Sequence, residues 1–162
     1  MQKNMIEEWP YNLAIFRRSH KAVSPDGNDH AEIEKAYEVS MSSPTCGALR
    51  TRSCFALEYC SPSFIWSDDS RYLAVPQFFT RFGLLRRQRI AIVDIKDRRG
   101  YLSRQIGFYY QPESFAEGVL SVTKEPFKKK ETIQWKVPEC FSQFTPFEAI
   151  WNEEEVSPES LK

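Results

Sequence analysis

Four cysteines, Cys46, Cys54, Cys60 and Cys140, and two histidines, His20 and His30, make up the chain's thiols and imidazoles. A structural zinc site needs four converging ligands, usually delivered as close pairs. No Cys-x-x-Cys pair is present, and three of the cysteines are strewn over residues 46–60. The expected metal and cofactor complement is therefore none, with the cysteines as buried, inert thiols. A Cys/His nucleophile pair would have to recruit His20 or His30, both placed by the sequence in loops near the N-terminus. Gly-x-Ser-x-Gly, His-Glu-x-x-His and a glycine-rich phosphate loop are all absent.

The carboxylates offer a second route to chemistry. Asp68 and Asp69 are adjacent, so in a turn they serve as caps more readily than as an acid/base pair. Asp94 closes an apolar run and reads as a hydrogen-bonded structural carboxylate. An alternative reading is a small hydrolase or nuclease that uses Asp and Glu with a metal, for which loss of activity on mutating Asp68 or Asp94 would be the sign.

The third constellation is cationic and aromatic. Arg81, Arg86, Arg87 and Arg89 interleave with Phe78, Phe79 and Phe82. Such mixtures grip phosphates and stacked bases, or form charge-assisted pairs with an acidic protein. The chain has 22 basic and 22 acidic residues, which argues against nucleic acid, because such binders carry a basic excess. The charge is unevenly spread: residues 1–45 are net −2, 46–110 net +6 and 111–162 net −4. Ten of the eleven positive charges in the middle segment are arginine. Either the acidic flanks pair with this segment internally or an anionic partner does. The contact set expected for a protein partner is Phe79, Phe82, Arg86, Arg87 and Arg89.

The elements that must position these residues are mostly strands. At 162 residues the chain fits one domain, read as residues 1–155 with 156–162 as a tail. No apolar run approaches the ~18 residues of a membrane span. The N-terminus lacks the apolar core and cleavage site of a secretory signal, so the expected location is cytoplasmic, with reduced thiols. Tyr37, Val39 and Met41 alternate with polar residues, as do Ile133, Trp135 and Val137. Residues 89–95 are apolar on both faces, the pattern of a central, doubly covered strand. Tyr11–Phe16 reads as a first strand, and residues 101–110 as a strand with Ile106, Phe108 and Tyr110 on one face. A turn follows at 111–114. Pro76 is expected to end the strand over residues 71–75, leaving 76–88 as a long loop that carries the contact set. In the turn Asp97-Arg98-Arg99-Gly100, Gly100 is the residue expected to take positive φ. Thr145-Pro146-Phe147-Glu148 matches a capping box, and Phe147, Ile150 and Trp151 form an apolar stripe, which predicts one short C-terminal helix. The fold class is thus mainly β, an antiparallel meander with one short helix.

Ser61-Pro62-Ser63-Phe64-Ile65-Trp66-Ser67-Asp68-Asp69-Ser70-Arg71-Tyr72-Leu73-Ala74-Val75, followed by Ile90-Ala91-Ile92-Val93-Asp94-Ile95, resembles a blade of a WD-repeat-type β-propeller. Ser24-Pro25-Asp26-Gly27 resembles a second copy of its acidic turn. The resemblance implies a meander sheet whose turns are held by Ser and Asp hydrogen bonds. The whole chain is similar to small bacterial immunity proteins that neutralise a partner toxin. That similarity implies a non-enzymatic, cytosolic protein-binding domain acting by occlusion, with no small-molecule substrate and no membrane.

Overall fold

Period-two alternation dominates the chain. The computed structural model, which describes residues 19–38, 45–53, 55–81, 84–124, 130–148 and 150–151, is mainly β and antiparallel. The strands are β1 (Ser19–Val23), β2 (His30–Glu38), β3 (Thr45–Thr51), β4 (Phe55–Cys60), β5 (Ile65–Trp66), β6 (Tyr72–Arg81) and β7 (Leu84–Asp94). They continue with β8 (Arg99–Ser103), β9 (Tyr110–Ala116), β10 (Val119–Lys124), β11 (Glu131–Lys136), β12 (Phe144–Phe147) and β13 (Ile150–Trp151). The large sheet runs β1-β2-β3-β4-β6-β7-β8-β12, with β5 on β6 and β13 on β4; a second sheet is ordered β11-β10-β9. Because β12 lies on β8 while β13 lies on β4, the chain returns from one edge to mid-sheet.

The pleat of β6 and β7 feeds two cores. Leu73, Val75, Ala91 and Val93 join Ile33, Leu49, Phe55 and Phe64 inside the curl of the large sheet. Tyr72, Ala74, Ile90 and Ile92 face the other way, onto Tyr110, Phe115, Leu120 and Trp135 of the small sheet. Residues 90–93 are thus covered on both sides, as their unbroken apolar run requires. A 3-10 helix, Glu139–Gln143, stands between the sheets and stacks Phe141 on Tyr101 with centroids 3.8 Å apart.

The two Ser-Asp turns share one design. The Ser24 hydroxyl donates to Asp26 and accepts from the Asp29 amide; the Ser67 hydroxyl donates to Asp69 and accepts from the Tyr72 amide. Side-chain acceptors of this kind replace the ladder bonds a turn interrupts. The turns touch through the Asp26 amide, which donates to Ser70 Oγ at 2.9 Å.

Several expectations are corrected. No helix forms among the described residues of 145–151: Phe144–Phe147 is β12 and Ile150–Trp151 is β13. A one-turn helix has little intrinsic stability, whereas β12 gains a ladder on β8, and its Pro146 sits on an outer strand that tolerates a missing N–H. Pro76 does not end a strand; β6 runs through it and pairs Pro76 with Ile90. Its carbonyl accepts from Ser61, so its nitrogen edge faces away from β7. There the partner strand slips register between the Cys60–Gln77 and Ile65–Ala74 pairs, so no β7 bond is lost. Residues 76–88 are therefore largely hairpin, not loop. Residues 111–114 lie within β9, not in a turn. Arg98, not Gly100, takes the positive φ of 52°. Gly100 is small for another reason: any Cβ there would overlap the Phe147 ring. The segment Tyr11–Phe16 and the tail 156–162 lie outside the described residues.

Candidate functional site: an arginine–phenylalanine face

The β6–β7 hairpin positions most of the expected contact set. Its register slips between Phe79 and Thr80, pairing Phe79 with Arg87 and Thr80 with Leu85. Arg86 is the extra residue on β7, a bulge that re-aims neighbouring side chains. Arg87 and Arg89 are two apart and share a strand face with their register partners Phe79 and Gln77.

The guanidinium of Arg89 lies 5.1 Å from the Phe79 ring centroid, and its Nε donates to Gln77 Oε1 at 3.3 Å. Gln77 Nε2 in turn donates to the Glu58 carbonyl at 3.1 Å. Arg87 stacks on Phe108, 3.7 Å from its centroid. Burial pushes the Arg89 pKa below its ordinary value. Neither Arg87 nor Arg89 forms an ion pair with a described residue, and Arg87 Nη1 is buried with no hydrogen-bond partner among them. Other arginines are internally neutralised: Arg50 pairs with Glu34 at 3.3 Å, and Arg71 with Asp94 at 3.0 Å and Asp97 at 3.1 Å. Cation–π stacking holds Arg87 and Arg89 in place without consuming their charge.

The structure thus brings Phe79, Arg87 and Arg89 together. Phe82 and the Arg86 side chain lie outside the described residues. Sequence reasoning missed two neighbours, Ile106 and Phe108, which are 39% and 41% exposed rather than aligned with the buried Tyr110. The signal was Gly107 between them, which breaks the strand pattern and forms only an isolated bridge to Gln88. Gln88 was also missed. It is fully buried, accepts from the Tyr110 amide at 2.7 Å, and so pins the 104–109 segment against β7.

The groups considered for catalysis are otherwise engaged. Asp94 accepts from Arg71 and from the Lys96 and Asp97 amides. Asp68 accepts from the Glu117 amide and ties the β5–β6 turn to the β9–β10 turn. Asp69 caps the Arg71 amide. Cys46, Cys60 and Cys140 are buried free thiols; burial pushes Cys46 up to about 12 and Cys140 up to about 11. Cys54 lies outside the described residues. His30 opens β2, and His20 lies in β1, so both are strand residues rather than loop residues. Among the described residues, no three of His, Cys, Asp and Glu converge, and no helix is long and apolar enough to cross a membrane.

Comparison with protein-family models, curated proteins and solved structures returns no match.

Proposed function

We propose that this chain is a non-enzymatic protein-binding domain, an inhibitor or immunity protein of the bacterial cytoplasm that neutralises a partner toxin by occlusion. Its contact face comprises Phe79, Phe82, Arg86, Arg87 and Arg89, extended by Ile106 and Phe108. The observation that carries this reading is the pair of arginines stacked on aromatic rings with no carboxylate partner among the described residues, beside two exposed apolar side chains. Aromatic and arginine anchors on a rigid sheet are the residue types that dominate binding energy at interfaces. Their charge suits a partner with an acidic surface.

The test uses the product of the neighbouring reading frame, purified and titrated with this chain. A tight complex is expected, with Arg87→Glu plus Arg89→Glu weakening it about 100-fold, or about 2.7 kcal/mol. An association rate that falls steeply with salt is expected alongside. Unchanged affinity in the double variant, or turnover of a small molecule by the purified chain, defeats the proposal. Retention on single-stranded DNA with a steep salt dependence would move the same face to nucleic acid.

A further inference from the structure

A second feature adjoins the arginine–phenylalanine face. On β2, β3 and β4 a cavity of ≈ 410 Å³ opens, lined by Tyr37, Tyr59, Glu58, Lys35, Gly47 and the Glu34–Arg50 pair, among others. Its origin lies in two register slips side by side. The β2–β3 ladder slips between Glu34 and Tyr37, and the β3–β4 ladder between Gly47 and Leu49. Lys35 and Tyr59 both adopt left-handed φ, 54° and 61°. Each such non-glycine residue is strained and persists where the surroundings impose it. Gly47 contributes only backbone to the lining.

The chemistry of the lining selects its occupant. Tyr37 and Tyr59 are 48% and 46% exposed and offer aromatic rings to the cavity. Aromatic faces attract cations. The exposed Glu58 carboxylate has no ion pair or hydrogen bond with any described residue. The Arg50 charge is already countered by Glu34, which leaves Lys35 as the competing cation of the lining. Cys46 also lines the cavity, but its thiol is pushed up to about 12 by burial, so an occupant is held without a covalent bond.

Gln77 joins this cavity to the arginine–phenylalanine face. Its amide donates to the Glu58 carbonyl and accepts from Arg89 Nε. A protein seated on Arg89 therefore lies one hydrogen-bonded side chain from the Glu58 main chain, and an interface that spreads past Gln77 covers the Glu58 carboxylate. A desolvated carboxylate left unpaired is costly, and a cation supplied by the partner removes that cost. We infer that the cavity between Tyr37, Tyr59 and Glu58 receives an arginine or lysine side chain of the bound protein partner. This inference rests on the protein-binding reading above.

The first arm of the test is a titration of the full chain, carrying ¹³C-labelled tyrosine, with N-acetyl-arginine-N-methylamide. Saturable shifts of the Tyr37 and Tyr59 ring signals are expected, and Glu58→Gln should weaken binding at least fivefold. The uncharged N-acetyl-norleucine-N-methylamide should produce no saturable shift. Equal binding of the norleucine probe, absence of saturation, or indifference to Glu58→Gln overturns the inference. The second arm is the complex with the neighbouring gene product, which Glu58→Gln should also weaken. A complex that depends on Arg87 and Arg89 but ignores Glu58→Gln overturns the cavity's role alone. Failure to form any complex overturns both the protein-binding reading and the partner-borne cation, whatever the capped arginine does.

Discussion

Asp94 shows how much one strand-end carboxylate can organise. Only 4% exposed, it gathers the Arg71 guanidinium and two turn amides, which shows why an acidic residue closes an otherwise apolar strand. Asp94→Ala is expected to cost about 2–4 kcal/mol, because it removes these bonds and leaves turn amides without their acceptor. The Arg71 side chain is 36% exposed, so Arg71→Ala should cost less, with solvent screening the pair. Urea unfolding of the two variants checks the order. His30 carries a pH signature. Burial, with Lys21 adding to it, lowers its pKa from 6.5. The unfolded chain then binds more protons just below that value, so the stability His30 contributes is present above pH 6.5 and is lost as the pH falls through its folded-state pKa. His30→Gln should flatten the stability profile in that window. Asp26, held below its ordinary 3.8 first by the Asn28 amide, acts only at more acid pH. At Lys35, with φ 54°, substitution by glycine is expected to stabilise the fold by up to about 1 kcal/mol.

At the scale of elements, β12 is held as much by an absent side chain as by its ladder. The Phe147 ring occupies the space over Gly100 that a Cβ would need. Gly100→Ala should cost about 1–3 kcal/mol through overpacking against an aromatic ring. Phe147→Leu on that background should recover part of the loss, so that the double-mutant cycle is non-additive. Additive effects would show that the ring does not lie there. The Ser-Asp turns invite a matched comparison. Ser67 is 2% exposed and Ser24 3%, and each satisfies an amide five residues on. Ser67→Ala is expected to cost about 1–2 kcal/mol, since the Tyr72 amide is itself buried and would lose its acceptor.

For the molecule as a whole, equal numbers of acidic and basic residues and a sequence pI near 6.7 imply weak mutual repulsion between copies at neutral pH. A solubility minimum close to that pH is expected, measurable by light scattering across a pH series. The charge is nevertheless divided in use. Arg50 and Arg71 serve the fold through internal pairs, while Arg87 and Arg89 stay charged on aromatic supports. The arginines of residues 46–110 thus split between internal ion pairs and positions stacked on aromatic rings.

Local chemistry made much of this legible in advance. The antiparallel β character, the doubly covered strand over residues 90–93, the acidic turns and the structural role of Asp94 all follow from period-two patterning and from Ser and Asp side chains bonding their own neighbourhood. The features that failed to show are those decided by a distant partner. Pro76 is tolerated inside β6 because its nitrogen edge faces the register slip of a neighbouring strand. Residues 144–147 and 150–151 extend because β8 and β4 offer ladders. Ile106 and Phe108 stay outside because Gln88 holds the intervening glycine. The Tyr37–Tyr59 cavity exists only because two ladders slip beside each other. Propensity and periodicity act over a few residues, whereas register, edge position and the pairing of strands some ninety residues apart are set by the folded chain as a unit.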